Sequence, residues 1–250
     1  MSARALQDLV VLAHHGCGFV DVVANSAALT DAERACFAAV DPRAFRGDAE
    51  RQHRIVAAVI EELPVTCAVA GLDAVYALFH DVEGFGAVVL QRLSLVVRFA
   101  ERLVPVVGDV ARIEGGVARA RRRRPQQHRG HGIVRAAGGE VVEVGEHALL
   151  HWQSEKASLG DDVVASIVAG RRLPRVDDDD CRAMILVEPA NGSFAIAACS
   201  APLAGLLQGL DRPIDDDDAI RLARTLGCDD DGEARVLLQD LQADGLLSRL

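Results

Sequence analysis

Met184-Ile-Leu-Val-Glu-Pro-Ala-Asn-Gly-Ser-Phe-Ala-Ile-Ala197, followed after two residues by Ser200-Ala-Pro-Leu-Ala-Gly-Leu-Leu-Gln-Gly-Leu-Asp211, is the stretch that decides the fold. Met184–Glu188 and Ser193–Ala197 are short apolar runs. Between them Pro189-Ala-Asn191-Gly192 supplies a turn, because an Asn-Gly pair tolerates positive φ. The pattern predicts two antiparallel strands. Ser200 is placed to cap a helix reaching about Leu210. Pro213 then precedes a helix over Asp215–Leu226, ended by Gly227, and a second over Asp229–Ala243, ended by Gly245. Leu246–Leu250 reads as a final strand or wing. Strand, strand, helix, helix-turn-helix, strand is the order of a winged-helix fold.

Working toward the N-terminus, Ile133–Ala136 and Glu140–Val144 flank Gly138-Gly139 and read as a β-hairpin. Glu146–Lys156 and Asp161–Ala169 read as helices, and Asp177–Asp180 as an exposed acidic loop. The polar stretch Pro125–Gly132 reads as a linker.

Everything before it is helical in period. Leu6, Leu9, Val10 and Ala13 recur at helical spacing. Thr30-Asp-Ala-Glu33 is a capping box that opens a helix over Asp31–Val40, and Asp41-Pro42 ends it. A helix over Asp48–Leu63 carries the stripe Ile55, Val56, Val59, Ile60 and Leu63, and Pro64 breaks it. Val65–Ala70 is a short helical turn released by Gly71, and Leu72–His80 follows. Glu83–Leu103 presents Val88, Val89, Leu93, Val96, Val97 and Phe99, and Pro105 separates it from a helix near Val106–Arg124. That helix ends in Arg119-Ala-Arg-Arg-Arg-Arg124, which suits the negative end of a helix dipole or forms an anion-binding patch. The expected fold class is α+β: an N-terminal helical domain (1–125), a linker region with hairpin and helices (126–182), and a winged-helix-like domain with a small antiparallel sheet (183–250).

Composition narrows the function. The 250 residues carry 37 acidic and 27 basic side chains, a net charge of −10, so the average surface repels polyphosphate. From Asp211 to Leu250 eleven acids stand against five arginines, a net of −6. A DNA-reading helix-turn-helix draws affinity from Lys and Arg beside phosphates. Here the second helix carries Asp229, Asp230, Asp231, Glu233, Asp240 and Asp244 against Arg235 alone, and the first opens with Asp215-Asp-Asp-Asp218. The acids suit helix N-termini as caps and dipole partners, and they disfavour nucleic acid as a partner.

A winged-helix fold can hold a peptide instead, as an extra strand on the free edge of the hairpin. The edge would be Ser193, Phe194, Ala195, Ile196, Ala197 and Ala198, and the helix wall Arg235, Leu238, Gln239 and Gln242. The competing reading places Phe194, Ile196 and Leu238 in the core.

Enzyme signatures are missing: no G-x-S-x-G, no Walker loop, no G-x-G-x-x-G and no H-E-x-x-H. No catalytic residue and no metal ligand is expected in this chain. His128, His131, His147 and His151 cluster without an acidic or cysteine ligand at a convincing spacing, and His14-His15 reads as a helix end. The six cysteines make no C-x-x-C pair and read as buried thiols in a reducing compartment. No signal peptide and no bilayer-spanning run is legible, so a cytoplasmic protein with no membrane partner is expected.

Residues Met184–Leu247 resemble the peptide-recognition element of ribosomally made natural-product pathways, the fold shared with the quinone-cofactor peptide chaperone. The resemblance rests on the acid-Pro-x-x-Gly turn at Glu188–Gly192, the small-residue helix ending in Leu210-Asp211, and Leu238-Gln-Asp-Leu-Gln-Ala-Asp-Gly-Leu-Leu247. In the first half, Leu29-Thr-Asp-Ala-Glu-Arg34, Val40-Asp-Pro-Arg-Ala-Phe-Arg46 and Ile60-Glu-Glu-Leu-Pro-Val65 resemble the helical half of partner subunits of multinuclear non-heme iron oxidative enzymes. The resemblance implies an accessory subunit that binds the leader of a cysteine-containing precursor peptide and docks on the iron enzyme, the iron belonging to that partner and no cofactor to this chain. The alternative is a winged-helix transcription regulator acting through protein contacts.

Overall fold

The computed structural model describes residues 7–9, 27, 29–41, 49–78, 88, 94–122, 131–136, 138–175, 181–190 and 193–250. Of the helix expected around Leu6–Ala13 only residues 7–9 are described, helical with Leu9 buried. Most of Glu83–Leu103 before Ser94, the linker at 125–130 and the acidic loop Asp177–Asp180 lie outside the described residues. The fold is mixed α+β, mostly helical, with small antiparallel sheets. Two compact units divide it: residues 1–111 with 152–176, and residues 112–151 with 177–250.

The first unit is built of helices. α1 (Asp31–Ala38) starts on the expected capping box: the Thr30 hydroxyl accepts from the Glu33 N–H, and the Glu33 carboxylate accepts from the Thr30 N–H at 2.9 Å. α2 (Ala49–Glu62) ends before Pro64, as expected, and Pro64 takes the first position of the short α3 (Pro64–Ala70). α4 (Leu72–Ala77) and α5 (Leu95–Val107) follow. The sequence placed a break at Pro105, but Pro105 lies inside α5, which ends at Gly108 with φ 79°. Pro105 is exposed in the last turn, as is Glu101, whose carbonyl has lost its helical donor and can turn to water instead. Val56, Val59 and Ile60 of α2 are buried with Leu63 at the junction, with Val65 and Cys67 of α3 and with Val96, Phe99 and Leu103 of α5.

α6 (Asp109–Arg122) and α7 (Ala148–Ser158) carry the chain across the division, and α8 (Val163–Val168) returns to the first unit, capped by Asp162. Ile167 of α8 is buried, and α8 packs on α2 and α3.

The second unit holds all five described strands: β1 (Ile133–Arg135), β2 (Glu140–Gly145), β3 (Arg182–Ala190), β4 (Ser193–Cys199) and β5 (Leu247–Arg249). β1 and β2 do not form the hairpin expected across Gly138-Gly139. β2 pairs along its whole length with β3, from Glu140↔Val187 to Gly145↔Arg182, and β1 pairs with β5. The longer ladder satisfies more backbone donors than a three-residue hairpin would. The β1 end is secured elsewhere: Ile133 exchanges hydrogen bonds with Ile214 at 2.8 and 3.1 Å, and the Arg135 N–H donates to Leu210 at 2.7 Å.

The main sheet has the order β2-β3-β4, all antiparallel. Its two faces are covered by different helices. Leu186 and Val141 point to a core made by α9 (Ala201–Gly209), α10 (Asp216–Thr225) and α11 (Asp231–Ala243), with Leu206, Leu207, Leu210, Ile220, Leu238 and Leu241 at its centre. On the other face lie Val142 and Val187, against the C-terminal part of α6. Gly116 makes that approach possible, since a Cβ there would stand 2.5 Å from Val142 Cγ2. Arg119 of α6 donates to Glu140 at 2.9 Å, and Arg135 pairs with Glu140 and Asp211.

The acids of the last third are structural where the sequence reading put them. Asp215 accepts from Asp218 N–H at 2.8 Å to cap α10, and Asp230 accepts from Glu233 N–H at 2.9 Å to cap α11. Glu233 closes a reciprocal bond to the Asp229 N–H at 2.6 Å. α11 ends in a Schellman motif: Leu246 N–H donates to Leu241 at 2.9 Å and Gly245 N–H to Gln242 at 3.1 Å, with Gly245 at φ 77°.

The Asp230 cap sets a pH dependence. Hydrogen bonds from the Glu233 and Gly232 N–H groups hold its carboxyl below the ordinary value of 3.8. A carboxyl depressed in the folded state stabilises fully above its unfolded pKa, and the contribution is lost as pH falls through the folded value. Asp230→Ser keeps an oxygen acceptor but does not titrate. Urea midpoints at neutral pH and below the carboxylate range should therefore fall less on acidification in Asp230→Ser than in the parent. Equal acid sensitivity would remove Asp230 from the explanation.

Candidate functional site

β4 is the edge strand of the three-stranded sheet, so one side of its backbone is open among the described strands. Which groups point outward follows from one residue. Pro189 pairs with Phe194 and has no N–H, so that pair cannot be of the mutually hydrogen-bonded kind. Alternation then makes Glu188↔Ala195, Leu186↔Ala197 and Met184↔Cys199 the bonded pairs. The N–H and C=O groups of Phe194, Ile196 and Ala198 are aimed at the open edge. Three donors and three acceptors at this spacing form one side of an antiparallel or parallel ladder.

The side chains of β4 divide between the two faces. Phe194, Ile196 and Ala198 share the α6 face, and the Arg121 guanidinium lies 5.5 Å from the centre of the Phe194 ring, within cation–π range. Ala195, Ala197 and Cys199 share the face of α9–α11, where Cys199 packs on the core. Thus Phe194 and Ile196 do stand on one face, and it is the face that meets α6.

On α11, Leu238 is 3% exposed and belongs to the core cluster. Arg235 and Gln239 are exposed and Gln242 is half-buried, all three on one stripe at helical spacing. The exposed Val236, at 56%, lies beside them in sequence.

A pocket of about 370 Å³, not legible in the sequence, is lined by Ser200, Leu203, Leu226, Cys228, Leu237 and Leu241, among others. It opens where β4 ends, since Ser200 follows Cys199 directly. Leu226-Gly-Cys228 sits in the turn between α10 and α11, an apolar patch inside an aspartate-rich segment, and that contrast is the signal that could have announced it.

No protein-family model matches this chain, and no curated protein matches it.

The remaining candidates from the sequence have structural placements. Of the arginine run, Arg119 bonds to Glu140, Arg121 lies over Phe194 and Arg122 donates to the Ala118 carbonyl at 3.1 Å. Arg123, Arg124 and His128 lie outside the described residues. His131 and His147 are exposed and His151 is half-buried on α7. No group of three or more His, Cys, Asp or Glu among the described residues is arranged to hold a metal ion.

Among the described residues the expectation that the cysteines are buried holds for Cys67 and fails for four others: Cys36 and Cys181 are exposed, and Cys199 and Cys228 are intermediate. Cys17 lies outside the described residues. A cysteine is small enough to sit at an element's rim without loss of core, which composition does not reveal. Burial pushes the Cys199 thiol up. Burial also raises that of Cys228, helped by the nearby carboxylates of Glu233, Asp229 and Asp230. Both shifts lower the thiolate fraction and so slow alkylation without preventing it. No helix among the described residues is long and apolar enough to cross a membrane.

Proposed function

We propose that this chain is a non-catalytic partner protein of a ribosomal-peptide modification pathway. It binds the leader of a precursor peptide as an added strand on β4 and presents a cysteine of that peptide to an iron-dependent oxidative enzyme. The observation that carries the reading is the open edge of β4, with its outward N–H and C=O groups at Phe194, Ile196 and Ala198. Support also comes from the order β3-β4-α9-α10-α11-β5, which we read as winged-helix-like. The capping carboxylates at the starts of α10 and α11 favour a peptide over a nucleic acid as the occupant. The helical first unit is assigned the docking role by its resemblance to iron-enzyme partner subunits.

A pull-down with the full chain as bait, read by mass spectrometry and iron analysis, tests the assignment. Recovery of an iron-containing protein with a small cysteine-bearing peptide is the expected result. Recovery of duplex DNA or RNA polymerase components alone would overturn it and favour a regulator.

A further inference from the structure

We infer that the pocket between α9, α10 and α11 takes one large apolar side chain of a bound peptide, with a lysine or arginine beside it facing the carboxylates of the α10–α11 turn. The inference rests on the peptide-binding reading for its occupant, but on different residues: none of the ten strand and helix residues assigned to the β4 edge lines this pocket.

Its volume, about 370 Å³, lies toward the small end of ligand pockets, roughly 300–1,000 Å³. The walls are apolar, with Pro202, Leu203, Leu206, Leu226, Leu237 and Leu241. Leu203, Leu226 and Leu237 are only partly buried and pack on the core behind them. Leaving such surface wet forfeits about 25 cal/mol for each Å², so an apolar occupant is favoured over water.

Charge selects the neighbour. Cys228 lines the pocket, and Asp229 and Asp230 follow it in the chain. Glu233 is drawn to the same turn by its bond from the Asp229 N–H at 2.6 Å. The Arg224 guanidinium near this turn is bonded to Asp231 at 3.1 Å. The turn is therefore negative, and an incoming cation is favoured at close range. Position links pocket and edge: a strand laid along β4 has one end at Cys199, and the next residue of this chain, Ser200, lines the pocket. A peptide residue just past that end of the ladder meets the pocket mouth.

Site-resolved alkylation of the full chain by iodoacetamide provides the test. Acetyl-leucyl-lysine amide is too short to pair along β4, so it probes the pocket alone. At a concentration that fills the pocket two-thirds of the time it should slow Cys228 modification about threefold. The exposed Cys36 and Cys181 serve as unaffected references. Acetyl-alanyl-lysine amide and acetyl-leucyl-glutamate amide should protect poorly, and Asp229→Lys should abolish the preference for lysine over glutamate.

Equal protection by all three probes, or none by the leucyl-lysine probe, overturns the inference. A second measurement uses the long peptide recovered with the chain. Cys228→Trp, which fills the pocket, should weaken it about tenfold, equivalent to about 1.4 kcal/mol. Unchanged affinity in that variant counts against the pocket even if β4 pairing is real. Ala198→Pro should leave leucyl-lysine protection unchanged, so the edge reading and the pocket reading fail separately.

Discussion

Ala198→Pro should abolish capture of the long peptide while leaving the fold intact. The Ala198 N–H points away from β3, so its removal breaks no ladder bond in this chain. Its side chain is exposed, so no core contact is lost. The proline ring would occupy the space where an added strand must approach, and it would delete one of the three outward donors. Leaving a peptide carbonyl unpaired in that interface costs about 1–3 kcal/mol, and the steric block adds to it. A loss of about 100-fold in affinity, near 2.7 kcal/mol, is expected. Ala197→Pro should behave oppositely, because the Ala197 N–H bonds to β3. It should lower the urea midpoint of the chain, whereas Ala198→Pro shifts it little. Anisotropy titration of the labelled peptide, beside urea melts of both variants, checks the pair. Full binding by a folded Ala198→Pro variant would remove β4 as the docking edge.

Leu207→Ala should carry the largest stability cost in the second unit. Leu207 is 0% exposed on α9, which packs on β2, β3 and α10. Truncating a buried leucine removes its transfer energy and leaves a cavity, together about 2–5 kcal/mol. Whole domains hold about 5–15 kcal/mol, so the loss is a large share of the total. Hydrogen exchange read by mass spectrometry should show faster exchange in β3 and α9–α11. The exposed Leu150, at 68%, is a control: Leu150→Ala should leave exchange in these elements unchanged. A Leu207→Ala protein with parental protection would mean that the core around α9 closes without it.

The two variants separate functions that sit side by side on one sheet. Leu207 belongs to what holds β3 and β4 against the helices, and Ala198 to what the edge offers outward. The division explains why Leu238, a helix-wall residue in the sequence reading, is a poor target for a binding test. It is buried among Leu206, Leu207 and Leu241, and its truncation would weaken the unit whether or not a peptide docks. Arg235 and Gln239, exposed on the same helix, can be changed without that penalty.

The sequence by itself determined the local elements. The Thr30–Glu33 box, the caps Ser200 and Asp215 and the stop at Gly245 act through hydrogen bonds and backbone angles within a few residues, and such features are written in the chain. Helix type and the β3–β4 pairing were legible for that reason. Tertiary structure decided the partners of β1 and β2, because a strand's period names its faces but not the strand it joins. It also decided that α6 covers the Phe194 face of the sheet, that Cys36 and Cys181 reach solvent, and that a pocket opens behind Ser200. Each of these depends on which distant segment fills a given volume, and packing of that kind is a property of the whole folded chain rather than of any window along it.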